Sequence, residues 1–163
     1  MISAIVAVDE NYGIGYKNEL LCHIKEDLKN FKKLTTNNMV VMGKKTWDSL
    51  PNKPLPNRIN VVVTNSVDTI SLIDGVIYVK LDTLKRYLED WEDHNIFVIG
   101  GGQIYKELLP YCDYVHLTKI HKSFENVDTY FPELKESEWA LLDEEPIQKQ
   151  DDIKYQFCIY KRR

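Results

Sequence analysis

The chain has little of what staples or metals would need to hold it together. Only three of its 163 residues are cysteine, Cys22, Cys112 and Cys158. They are odd in number, far apart and form no C-x-x-C pair, so neither a disulfide framework nor a zinc site is suggested. The histidines, His23, His94, His116 and His121, show no H-E-x-x-H spacing, and no metal is expected. No apolar run approaches the roughly 20 residues of a membrane span, and the opening Met1 to Val8 lacks the basic leader of a secretion signal. Positive charge is not in excess either: 21 Lys and Arg against 25 Asp and Glu leave a formal charge of −4, the wrong sign for a general nucleic-acid binder. These absences leave a cytoplasmic protein whose partners are small molecules, with no nucleic acid and no membrane among them.

What is present reads as one domain spanning 1–163, long enough to bury its own core. Short runs rich in β-branched residues recur at Ile2 to Val8, Met39 to Met42, Ile59 to Thr64, Val76 to Val79, Ile96 to Ile99 and Tyr114 to Thr118. Between several of them lie helical patterns at Lys25 to Thr35, Lys44 to Leu50, Asp82 to Trp91 and Gln103 to Leu109. The alternation predicts an α/β fold with a mostly parallel central sheet flanked by helices. Trp139 to Leu142 and Tyr155 to Tyr160 lack a helix between them and predict a C-terminal antiparallel hairpin closing the sheet. The longest irregular stretch, His121 to Pro132, is expected to pack over the N-terminal loop.

Glycine is scarce, yet three of seven stand together as Gly100-Gly101-Gly102, behind Ile96-Phe97-Val98-Ile99. Such a run costs conformational entropy, so it belongs where the backbone turns sharply or lets another group come close. Asp27 is the second informative residue. At 100° per residue, Ile24, Leu28, Phe31 and Leu34 form the apolar stripe of the first helix, and Asp27 falls between Phe31 and Leu34. A carboxylate on that side needs partners, a bound ligand or a raised pKa. It reads either as a helix acid bonded to a core hydroxyl or as the group that grips a buried substrate.

Two further patterns stay open in the same way. Gly43-Lys44-Lys45-Thr46 follows Met39 to Met42 and reads as a phosphate cradle or as a solvated basic turn; with Asn38 where a Walker loop needs glycine, it is not a P-loop. Thr64-Asn65-Ser66 after Ile59 to Val63 reads as turn chemistry or ligand contact. These groups fall near the carboxyl ends of strands, where open α/β sheets hold ligands, and one long phosphate-bearing ligand would account for them all.

Seven pieces, in order, carry a resemblance over nearly the whole chain: Ala7-Val8-Asp9 with Ile14-Gly15 and Asn18-Glu19-Leu20; Glu26-Asp27-Leu28 with Phe31-Lys32; Val41 to Trp47 with Ser49-Leu50; Pro54 to Arg58; Val98 to Tyr105; Asp128; and Phe131-Pro132. On these residues the chain resembles the bacterial, single-domain form of dihydrofolate reductase. The resemblance implies hydride transfer from NADPH to dihydrofolate, antifolates as inhibitors, and a monomer. It implies that Asp27 is the catalytic acid that binds the pterin, with Thr118 as its hydroxyl partner. Ile5, Ala7, Leu20, Leu28, Phe31, Leu50 and Ile99 would wall the pocket, and Arg58, assisted by Lys53, would take the glutamate carboxylate. Ala7, Ile14, Gly15, Asn18, Gly43, Lys44, Lys45, Thr46, Thr64, Asn65, Gly100, Gly101, Gly102, Gln103, Ile104 and Tyr105 would hold the cofactor. It also implies a cis peptide between Gly100 and Gly101.

The chain departs from the family's pattern at Leu21-Cys22, where Pro-Trp is common, and at Lys25, where proline is usual at the helix start. The missing indole normally helps order water near the substrate acid, so Cys22 either alters that water or merely fills volume. Two alternatives stand beside the main reading: a same-fold reductase of another pterin or pyrimidine, and a non-catalytic nucleotide-binding protein.

Overall fold

The computed structural model describes residues 1–91 and 93–163. In chain order the elements are β1 (Ile2–Val8), β2 (Gly13–Tyr16), β3 (Glu19–Leu20), α1 (Lys25–Thr35), β4 (Met39–Gly43), α2 (Lys44–Ser49), β5 (Ile59–Val63), β6 (Ile70–Ile73), β7 (Val76–Val79), α3 (Leu81–Tyr87), β8 (Ile96–Gly100), α4 (Gly102–Leu108), β9 (Tyr114–Ile120), β10 (Thr129–Tyr130), β11 (Trp139–Glu144), β12 (Gln148–Gln150) and β13 (Ile153–Arg162). The main sheet runs β11-β13-β9-β1-β8-β4-β5-β7-β6, with β12 alongside β13. β9, β1, β8, β4, β5 and β7 are mutually parallel, and β6, β11, β12 and β13 join antiparallel at the two edges.

The innermost strands β4 and β8 carry no polar side chain because both faces are covered. Side chains alternate between faces: Val40, Met42, Val62 and Phe97 pack with Trp47 of α2 and Leu34 of α1, whereas Met39, Val41, Val61 and Val98 pack with Leu84 of α3 and Ile104 and Leu108 of α4. Burying each such side chain contributes about 1.5–3 kcal/mol, so these strands form a rigid base for whatever emerges at their ends. No helix among the described residues is long and apolar enough to cross a membrane.

The helix expected over Asp82 to Trp91 ends earlier, at Tyr87. Beyond it the chain tightens into i+3 turns, Asp90 N to Tyr87 O and His94 N to Trp91 O, and the Tyr87 and Trp91 rings stack with centroids 5.8 Å apart. Five short strands appear where sequence periodicity marks none: β2, β3, β6, β10 and β12. β6 and β7 are joined by Asp74-Gly75, both at positive φ, and β2 and β3 by Lys17-Asn18, also both at positive φ. Two-residue turns of that hand match the twist of a hairpin. The stretch His121 to Pro132 does return over the N-terminal loop: its β10 pairs with β2 in a small three-stranded sheet, β10-β2-β3.

Candidate active site

Asp27 sits in the first turn of α1, partly buried, facing β9. Thr118 Oγ1 donates to Asp27 Oδ1 at 2.6 Å, and Thr118 is itself buried beside Ala7, its register partner on β1. Both readings of Asp27 meet here, since the core hydroxyl exists and only one carboxylate oxygen is taken by it; among the described residues Oδ2 accepts no hydrogen bond. Burial pushes the Asp27 carboxyl above the usual carboxylate range, and the Thr118 hydrogen bond pulls part of the way back. Cys22 lies close enough that burial first, and the Asp27 charge second, push its thiol up. Cys22 packs with Ala7, Phe124 and Phe157 around buried Ile24.

The apolar stripe of α1 does not press flat against the sheet. Ile24 is buried, but Leu28 is 51% exposed, and Leu20 of β3 is 56% exposed. Ile5, Leu50 and Ile99 are only partly buried against the core, as is Phe31. Apolar side chains left open around one carboxylate suit a flat, donor-bearing ring better than they suit water.

At the far end of α1, Arg58 Nη1 donates to Thr35 Oγ1 at 3.1 Å and Nε to Pro56 O at 2.9 Å, and the guanidinium carbon lies 5.9 Å from the Phe31 ring centroid. These contacts aim the fork and leave Nη2 available for a carboxylate. Burial lowers the Arg58 pKa from its ordinary value. Lys53 Nζ donates to Trp47 O and Asp48 O, each at 3.3 Å, and so closes the end of α2.

A second group of residues gathers where β4, β5 and β8 end. The parallel register sets Gly43 beside Val63 and Met42 beside Gly100, so Gly43, Thr64 and the glycine run emerge at one edge. Gly100 has φ +136°, and its peptide to Gly101 is cis. A Cβ on Gly100 or Gly101 would lie 3.3 Å from Thr46 Oγ1, and one on Gly102 would stand 2.8 Å from Thr129 Cγ2. Glycine is thus called for by positive φ at Gly100 and by close packing at Gly102, and the run leaves bare backbone above the strand.

Lys45 is exposed, and Lys44 Nζ pairs with Asp48 Oδ1 at 2.5 Å. Asn18 Nδ2 donates to Lys45 O at 3.2 Å, tying the β2–β3 turn to this corner. Thr64 Oγ1 and Ser66 Oγ lie 2.8 Å apart in a local turn, with Asn65 exposed between them. Ile104 and Tyr105 are buried beneath the glycines. A Cβ on Gly43 would meet Ile104 Cγ1 at 2.9 Å, and Tyr105 Oη donates to Ile5 O at 2.7 Å. Burial pushes the Tyr105 hydroxyl well above its usual range. Gln103 lies on the exposed side of α4, where Nε2 donates to Glu107 Oε1 at 3.3 Å.

Two carboxylates that organise this region stand among the pieces that carry the resemblance but were given no role there. Asp9 is 4% exposed and accepts only backbone N–H groups. Asp128 Oδ2 accepts Lys17 N–H at 2.9 Å while its own N–H donates to Gly15 O at 3.1 Å. The available signal was an acidic residue at a strand end before a glycine-bearing loop, the pattern of side-chain-closed turns.

The dihydrofolate reductase family model matches residues 1–162. The chain is similar to the dihydrofolate reductase of Bacillus subtilis, 42% identical over 166 residues with 100% of this chain and 95% of the relative covered. It is 36% identical over 164 residues to the type 9 dihydrofolate reductase of Escherichia coli, covering 98% of this chain and 92% of the relative. Among solved structures, the Enterococcus faecalis dihydrofolate reductase complexed with NADP(H) and RAB-propyl superposes with TM-score 0.86 at 33% identity, covering 99% of this chain and 96% of that one.

Proposed function

The chain belongs to the dihydrofolate reductase family, whose members reduce dihydrofolate with NADPH, and we propose that Asp27 is the residue on which this reaction turns here. The observation that carries this reading is the Thr118–Asp27 hydrogen bond: it orients a carboxylate inside an apolar cleft and leaves its second oxygen for substrate. Asp27 binds the amino group and ring nitrogen of the pterin. By favouring the protonated form of the substrate it raises the electrophilicity of the carbon that is reduced, with water carrying the proton to the adjacent nitrogen. Leu20, Leu28, Phe31, Leu50 and Ile99 wall the ring and exclude bulk water, which strengthens every polar contact inside.

Arg58 takes the carboxylate at the other end of the substrate. Thr35, which aims Arg58, stands eight positions beyond Asp27, a rise of about 12 Å along the helix, which sets the span from ring to tail. NADPH, when bound, supplies the hydride. Lys44, Lys45, Thr46 and Thr64 hold its phosphates, the bare backbone of Gly100 to Gly102 admits its nicotinamide side, and Ile14, Gly15 and Asn18 cover it. A Cβ at Gly100 or Gly101 would stand 3.3 Å from Thr46 Oγ1, and a side chain there would take up room in the cradle, which supports this assignment. The chain acts as a single functional unit, a monomer in the cytoplasm, and antifolates compete at the same cleft.

The test is loss of NADPH absorbance on adding dihydrofolate to the native chain. Arg58→Ala is expected to raise KM for dihydrofolate about 10–100-fold, the worth of a charge-assisted pair, without changing NADPH affinity. A folded native chain that consumes no NADPH, or an Arg58→Ala variant with unaltered KM, would overturn the reading.

A further inference from the structure

Asp9 closes β1 and belongs to neither the substrate nor the cofactor group. Its carboxylate is nearly buried, and a buried carboxylate is expensive unless its oxygens are bonded. Here they are bonded to two separate loops. Oδ1 accepts from the backbone of Asn11 at 2.9 Å and of Gly13 at 2.7 Å, both in the loop that leads into β2. Oδ2 accepts from the backbone of Phe124 at 3.2 Å, in the segment that returns as β10.

The two loops meet again further along. Gly15 O accepts from Asp128 N, Lys17 N donates to Asp128 Oδ2, and Thr129 stands opposite Gly15 in the small sheet. Beyond Lys17, Asn18 reaches Lys45 O at the cofactor corner. Asp9 thus lies at the root of a continuous set of bonds that ends on the phosphate loop. Packing at the root has little slack, because a Cβ on Gly13 would lie 2.9 Å from both Asp9 Oδ1 and Val127 Cγ1.

We propose that Asp9 is a positioning residue for hydride transfer: by joining the β1–β2 loop to the 124–129 segment, it sets where Ile14 to Asn18 stand over the cofactor. Charge-assisted bonds to backbone N–H groups are the strong and directional kind, and an apolar side chain at this position would fill the space without fixing either loop. The proposal rests on the reading that Ile14 to Asn18 cover the cofactor.

Asp9→Asn separates placement from folding. The amide oxygen can keep the bonds to Asn11 and Gly13, while the amide nitrogen facing Phe124 N–H sets donor against donor, so the buried Asp9–Phe124 link is lost while the bonds of Glu10, Tyr12, Gly15 and Lys17 to the same segment stay in place. Expected are a kcat lower by about tenfold or more, since small misplacements near the reacting atoms are costly, a raised KM for NADPH, and a dihydrofolate KM within about twofold of native. Amide exchange should quicken together in residues 13–17 and 124–129 and stay slow in β4 and β8. Asp9→Ala should show the same pattern more strongly. The proposal is overturned if Asp9→Asn retains native kcat and NADPH KM per folded molecule, or if exchange quickens in one loop alone. Exchange reads the link between the loops in the absence of turnover, and a native chain inert toward dihydrofolate would instead count against the assigned reaction.

Discussion

In the main sheet, Val40, Val41, Val61 and Val62 are wholly removed from solvent and lie between two layers of helices. In the small sheet beside it, the strands are two to four residues long, Leu20 and Tyr130 stand more than half exposed, and the fixed points are the carboxylates Asp9 and Asp128 bonded to backbone N–H groups. The first region is held by apolar area and is cooperative with the whole fold. The second is held by a few directional bonds and can loosen without unfolding the rest. A reductase needs both: a rigid base for Asp27, the glycine run and the phosphate loop, and a cover that can part to admit one ligand and release another.

The widest separation between the regions should come from the core. Ile96→Ala, at a position 1% exposed in β8, is expected to cost about 2–5 kcal/mol of global stability in denaturant melts, with KM for both substrates unchanged in the folded fraction. A shift in NADPH KM at unaltered stability would break the division between frame and cover. Asp27 sits at the boundary and gives a smaller, pH-dependent effect. Its folded pKa is raised above the ordinary 3.8, mainly by burial, so the charged form is penalised in the folded state. That penalty is full above the raised pKa and gone below 3.8. Asp27→Asn should therefore raise Tm at neutral pH, and the gain should vanish toward about pH 3; an equal gain at both would assign the effect to packing.

The smallest global effect is expected in the cover. Bonds from Lys17 N–H, then Thr129, hold the Asp128 carboxyl below its ordinary range. Its contribution is present above 3.8 and is lost as pH falls through the depressed value. Asp128→Asn should quicken amide exchange at Lys17 several-fold and leave Tm nearly unchanged. A large fall in Tm would show that the cover and the frame unfold as one.

The same contrast explains what could be read from the sequence. The six parallel strands were legible because each is a short β-branched run buried on both sides, and α1 was legible to the residue from its 3.6-residue stripe. Asp27 stood out as a charge on that stripe, and Gly100 to Gly102 as a costly run behind a strand. The small sheet left no hydrophobic period, since its strands are held by Asp9, Asp128 and two tight turns, and neither those carboxylates nor the Asp74-Gly75 hairpin signal was read for what it was. Side-chain contacts were a further limit: nearness in sequence to site residues does not disclose that Lys53 closes α2 or that Ile104 and Tyr105 support the glycines from below.

The most direct test of the central claim is single-turnover hydride transfer, followed by NADPH absorbance, in the native chain and in Asp27→Asn with NADPH pre-bound. The expected result is a rate about 10²–10⁴-fold lower in the variant with NADPH affinity unaltered. A variant that transfers hydride within a few-fold of the native chain would contradict the assignment of Asp27.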